Sequence, residues 1–202
     1  MHTLLLRVGM ALAFVVFTPV APAASEAPDA LVKATVEDVL SLIRQTRDRA
    51  QLRRIAEQKI LPHFDFKEMT RLAVGAPWRK ATPEQQRQLE ENFRTLLVNT
   101  YVNALASGPS LERSVDVKPL PPGASGNAVI VRTVVKESGR PPIPIDYRMS
   151  NASGTWKVFD VVVEGVSLVT TYRGTFSASA NTVGVDGLIR MLQEKNRALG
   201  RS

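Results

Sequence analysis

GTWKVFDVVVEGVSLVTTYRGTF, residues Gly154 to Phe176, joins two patterns of different period. Trp156, Val158, Phe159, Val161, Val162 and Val163 are aromatic or β-branched and suit a pleated, buried surface. At Glu164-Gly165 the apolar run breaks, and a glycine there lets the strand bend or bulge. Beyond it, Val166, Leu168, Val169, Tyr172 and Phe176 fit helical spacing better than alternation. The stretch therefore predicts a core strand, a corner and a helix with an apolar stripe.

Upstream of this strand the chain reads as further strands. Val115 and Val117 mark a short one. Asn127 to Lys136 is a longer one, and Ile143 to Met149 pairs back on it after the turn Gly139-Arg140-Pro141-Pro142. Strands joined in sequence by turns predict an antiparallel meander. Val129, Val131, Thr133 and Val135 share one face, as do Ile143, Ile145, Tyr147 and Met149, and Phe159, Val161 and Val163 continue this apolar face. Arg132, Asp146, Arg148 and Asp160 have the opposite parity. Taken alone, the apolar face reads as ordinary core, and the charged set reads best as structural ion pairing.

Before the strands the period is helical. Val32, Val36, Val39, Leu40 and Ile43 recur on one face between about residues 30 and 48, and Leu52, Ile55, Ala56 and Ile60 follow until Pro62 ends or kinks the piece. Asp65 is an N-cap for a helix carrying Met69, Leu72 and Ala73, with Gly75 as its stop. Pro77-Trp78 forms a loop whose indole packs back as a wedge or lid. Thr82-Pro83-Glu84-Gln85 is a capping box with proline at the first helical position. The helix it opens runs to about Ser107 with Leu89, Phe93, Leu96, Leu97, Tyr101 and Leu105 on one face. A last helix spans about Asp186 to Leu199. Helices about 30–107, a sheet about 113–163 and helices about 167–199 predict an α+β fold: a helical layer packed on a curved antiparallel sheet of about four strands.

The first 23 residues stand apart. A weakly positive start, an apolar run from Val8 to Val20 and Ala21-Pro22-Ala23 read as a cleaved secretory signal, leaving one exported, soluble domain over residues 24–202. The full chain carries a formal charge of +7 and has no cysteine, which excludes disulfides, thiolate metal sites and a cysteine nucleophile. The basic residues are dispersed, without a run interleaved with aromatics, so nucleic acid is not an expected partner. Charge of this sign favours anionic membranes or acidic protein patches.

Catalytic patterns are absent. His63 is the one histidine beyond the signal, and no G-x-S-x-G, H-E-x-x-H or P-loop occurs. Asp160 or Glu164 would serve as a general base only if buried in a pocket.

The mature chain resembles the MlaC family, also called the toluene-tolerance auxiliary transport family. Pro62-His63-Phe64-Asp65-Phe66 with Met69, Leu72 to Trp78 with its Gly75 and Trp78, and Ala81-Thr82-Pro83 with Phe93 and Tyr101 resemble its helical segments. Ile145-Asp146-Tyr147-Arg148 is similar to a strand motif. Trp156 to Val161 leading into Glu164-Gly165-Val166-Ser167-Leu168 resembles the family hallmark, and Tyr172-Arg173, Phe176 and Gly184 to Leu188 complete the pattern. Phe159 stands where tyrosine is commoner, and Ala73-Val74 varies an aliphatic pair.

The resemblance implies an NTF2-like arrangement with an internal apolar cavity holding phospholipid tails. It implies a periplasmic carrier that shuttles lipid between an outer-membrane lipoprotein complex and the substrate-binding subunit of an inner-membrane ABC transporter, maintaining outer-membrane lipid asymmetry. Phospholipid would be cargo; no cofactor is expected, and the chain would act as a monomer. On this reading the cavity is lined by Trp78, Leu97, Tyr101 and Leu105 from the helices, and by Val129, Val131, Ile145, Tyr147, Phe159, Val161 and Val163 from the sheet. Val166, Leu168 and Tyr172 form its rim, and Arg173 is a candidate headgroup contact. Two other readings compete: an enzyme on the same kind of fold using Asp160 or Glu164 as base on a small hydrophobic substrate, and a periplasmic interaction module or chaperone.

Overall fold

The computed structural model describes residues 26–107, 113–121 and 126–201; the predicted signal lies outside them. Among the described residues no helix is long and apolar enough to cross a membrane.

The helical layer forms where the caps and stripes predict it. Helix α1 is Pro28–Gln45 and α2 is Arg49–Ile55, opened by Asp48, whose carboxylate accepts the Gln51 amide. The chain then widens into a π-helical turn, Ala56–Ile60, tightens into a 3-10 turn, Leu61–His63, with Pro62 inside it, and becomes extended at Phe64. Helix α3 is Phe66–Val74; the Asp65 carboxylate caps it by accepting the Glu68 amide at 2.9 Å. A further 3-10 turn, Ala76–Lys80, buries Trp78. Helix α4 is Pro83–Ser107, and its capping box closes in both directions: the Gln85 amide donates to Thr82 Oγ1 at 3.2 Å, and the Thr82 amide donates to Gln85 Oε1 at 2.9 Å.

The sheet is an antiparallel meander in the order β1-β2-β3-β4-β5, with β1 Arg113–Val117, β2 Ala128–Glu137, β3 Ile143–Ser150, β4 Lys157–Val163 and β5 Val166–Ser167. The fold is thus α+β, with five strands where four were expected. The fifth is two residues long and arises from the corner itself. Glu164 (φ 50°) and Gly165 (φ 81°) both take positive φ, which makes a two-residue hairpin pairing Val163 with Val166. Val166 therefore belongs to a strand and not to the helix. Helix α5 begins only at Leu168 and runs to Arg201, broken at Gly184 (φ 72°, ψ 174°) into the two helical pieces that the sequence pattern separates.

Register in β4 departs from simple alternation. Arg148 faces Asp160 but Met149 faces Val158, so Phe159 is the extra residue of a β-bulge. A bulge shifts side-chain parity by one, which puts Val158 rather than Phe159 in line with Val161 and Val163.

Packing divides into three clusters. Phe66, Met69, Val74, Trp78, Leu89, Phe93, Leu96, Phe176 and Leu192 join α3, α4 and α5. Leu42, Ile43, Leu52, Val98 and Val102 join α1, α2 and α4. Val32, Val131, Met149 and Val158 seat α1 on the sheet. The backbone of Asp65 ties helices to sheet, its amide donating to Val158 O at 2.9 Å.

Candidate functional site

The cavity lies where the three clusters meet. Its volume is about 300 Å³, and nearly all of its wall is apolar. Leu97, Val98, Tyr101, Val102 and Leu105 line it from α4; Val39, Leu42 and Leu52 from α1 and α2; Ala56, Ile60 and Leu61 from the π and 3-10 turns; Phe64, Phe66 and Met69 from the approach to α3 and that helix itself. The sheet contributes Ile145, Tyr147, Val161 and Val163, and Leu168 closes the set from the start of α5. Tyr101 (48% exposed) and Val163 (38%) line the cavity yet reach solvent, so they mark its mouth; Val166 (63%), paired with Val163, extends an apolar rim outside it. Behind Val39, Ile60, Phe64 and Tyr147 lies a smaller chamber of about 110 Å³, bounded by Leu31, Val32, Val36, Met149 and Val158.

The wall carries no ionised group. Burial pushes the Tyr147 phenol above its ordinary range, with the Thr133 hydroxyl drawing it partly back. Burial likewise raises Tyr101, aided by nearby Tyr172. Both phenols are therefore neutral near pH 7. Among the described residues no group of histidines, cysteines and acids could hold a metal. The surface can solvate hydrocarbon and little else.

Of the cavity residues expected from sequence, Leu97, Tyr101, Leu105, Ile145, Tyr147, Val161, Val163 and Leu168 come together around this space. The others lie elsewhere. Val129 and Val131 pack in the cluster with Val32 under α1. Phe159 is displaced by its bulge, and Val166 stands outside on β5. Trp78 is buried in the α3–α5 core. Tyr172 belongs to an aromatic cluster there, edge-on to Phe93 at 5.0 Å and tilted against Phe176 at 5.2 Å. Arg173 lies beside Gly75, Trp78, Arg71 and Arg79 and lines neither chamber.

Asp160 takes a structural post. It is 2% exposed and lines neither chamber. Its Oδ1 accepts the Val169 amide at 3.1 Å; its Oδ2 accepts Ser167 Oγ at 2.7 Å and Arg148 Nη1 at 3.2 Å. The carboxylate thus anchors the first turn of α5 to β4, where the helix dipole favours negative charge. Its oxygens are engaged by three donors and it has no opening to the cavity, so a substrate held there would not reach it. Glu164, at the exposed tip of the hairpin, lacks the enclosure a base needs.

Comparison with known proteins places this architecture. The family model described as MlaC protein matches residues 33–194. The chain is 26% identical over 188 residues to the toluene tolerance protein ttg2D of Pseudomonas putida, covering 90% of this chain and 86% of that one. It is 23% identical over 179 residues to the intermembrane phospholipid transport system binding protein MlaC of Haemophilus influenzae, covering 85% and 83%. Among solved structures it matches a phospholipid-binding protein from Ralstonia solanacearum, determined in complex with a phospholipid, with a TM-score of 0.77 and 36% identity over 85% of this chain and 98% of that one.

Proposed function

The chain belongs to the MlaC family, and from that premise we propose that it is a periplasmic phospholipid carrier whose acyl tails lie in the apolar cavity while the headgroup stays at the mouth. The observation that carries this reading is the cavity itself: an uncharged aliphatic and aromatic wall opening at Tyr101 and Val163. Two acyl tails hold roughly thirty methylene and methyl groups, and at about 0.8 kcal/mol each their exposure to water costs on the order of 20 kcal/mol. A carrier must cover them nearly completely and still release them, so loading has to widen the space of about 300 Å³ between the helices and the sheet. A plain apolar wall does both, because it resembles the bilayer interior and adds few polar anchors that would trap the cargo. The Ralstonia protein, of similar fold, holds a phospholipid, and the Haemophilus relative is named for intermembrane phospholipid transport; both support the reading.

The carrier moves lipid between an outer-membrane lipoprotein complex and the substrate-binding subunit of an inner-membrane ABC transporter, and so maintains outer-membrane asymmetry. Residues 1–23 direct export and are removed, leaving a single monomeric domain over 24–202 that takes phospholipid as cargo and uses no cofactor.

Native mass spectrometry of the mature chain, purified without detergent, tests the proposal. The expected spectrum is the protein plus the mass of diacyl phospholipid, released as such on activation. A bare chain under equally gentle conditions, both as purified and after incubation with phospholipid vesicles, would overturn it.

A further inference from the structure

We infer that a pocket on the far side of α3 from the cavity is a second binding site, one that takes a phosphate-type oxyanion through Arg79 and Arg173. The pocket is an open cleft of about 270 Å³ between the end of α3, the turn after it and the second turn of α5. Trp78 and Leu72 form apolar walls, and Arg71, Arg79 and Arg173 line it with guanidinium groups.

The charge there is not neutralised internally. Arg71 spends two donors on Glu68, at 2.6 Å each, which leaves three N–H groups of its fork available. Among the described residues, the side chains of Arg79 and Arg173 have no hydrogen-bond or ion-pair partner. The C-terminal end of α3 contributes about half a negative charge and Glu68 one more, against three guanidinium groups, so the pocket stays net positive.

The backbone shapes the site as well. Gly75 turns the chain with φ 72° and ψ −136°, and a Cβ built on it would lie 3.5 Å from Arg173 Nε. The Arg173 guanidinium therefore rests against the backbone of Gly75 through Nε and Nη2 while it lines the pocket, which limits its freedom. A planar fork held in this way suits two oxygens of a tetrahedral oxyanion better than a monovalent halide. Because α3 stands between this pocket and the apolar cavity, with Phe66 and Met69 facing the cavity and Leu72 facing the pocket, the site is separate from the mouth through which tails would enter. The same chemistry is offered by inorganic phosphate and by the phosphate of a lipid headgroup at a bilayer surface.

The test follows arginine Nε–H resonances of the mature chain during titration with inorganic phosphate, chloride replacing it at constant ionic strength. A second arm measures sedimentation with vesicles of phosphatidylcholine alone or with added phosphatidylglycerol. Saturating shifts of Arg79 and Arg173 assign the site to the free anion. Retention by the anionic vesicles that Arg79→Gln and Arg173→Gln each weaken, without such shifts, assigns it to headgroups. In the responding arm each variant should bind about tenfold more weakly. Arg173→Lys, which keeps the charge but not the fork, should lose most of the affinity, and Arg54→Gln on α2 should leave it unchanged. No response in either arm, or an equal loss in Arg54→Gln, would overturn the inference.

Discussion

Val161→Asp is expected to yield folded protein stripped of phospholipid. Val161 pairs with Tyr147 across β3 and β4, and both side chains line the cavity. A carboxylate there must either ionise against hydrocarbon or take up a proton, and either course opposes tail burial. An uncompensated charge in such a setting costs several kcal/mol, so bound lipid per protein should fall by about a hundredfold or more. Ile130→Asp is the matched control, since Ile130 on β2 is 42% exposed and lines neither chamber. Phosphorus and lipid analysis of the two variants, with far-ultraviolet circular dichroism to establish folding, checks the prediction. Wild-type lipid content in Val161→Asp would show that the tails lie elsewhere.

The second large effect is on stability. Asp160→Ala removes a buried carboxylate that accepts from Val169, Ser167 and Arg148, and it leaves the first turn of α5 without its tie to β4. The loss should be about 3 kcal/mol, from an unsatisfied amide and hydroxyl and a lost helix anchor. Arg148, whose side chain is 45% exposed, regains water and adds less. Asp160→Asn, which still offers an acceptor to the Val169 amide, should lose about half as much. Urea unfolding of delipidated protein measures these differences. The folded fraction of Asp160→Ala should still take up phospholipid, because the residue lies outside the cavity wall. Loss of lipid uptake without loss of stability would show a direct role for Asp160 in the site.

Much of the fold is legible in the sequence because its signals are local. Thr82 and Gln85 specify a helix start by their own hydrogen bonds, and Asp65 does the same with one. Alternation through Ile145, Tyr147 and Met149 gives β3 its face. What is hidden depends on partners distant in the chain. The bulge at Phe159 is a matter of register against Met149, and the apolar run from Val158 to Val163 reads the same with or without it. The Glu164-Gly165 hairpin carries only one glycine, so it reads as a corner and hides β5.

The cavity is harder still. Periodicity reports that a face is apolar, not whether it meets another side chain or a space. Val131 and Ile145 have the same pattern, yet one packs under α1 and the other lines the cavity. Val39, Leu52 and Ile60 are readable as helix stripes, but their place on the cavity wall follows from how α1, α2 and the π-helical turn fold over the sheet. Arg173 follows Tyr172 directly, and one helical residue of rotation carries it from the aromatic cluster to the arginine pocket.

The most direct test of tail burial in this cavity uses a phospholipid with a photoactivatable diazirine midway along one acyl chain. After loading, irradiation and proteolysis, adducts are mapped by mass spectrometry. The expected adducts fall on cavity-lining residues such as Leu97, Val102, Tyr147 and Val161, and disappear in competition with unlabelled phospholipid. Competable adducts confined to residues outside the cavity and its side chamber would contradict the account.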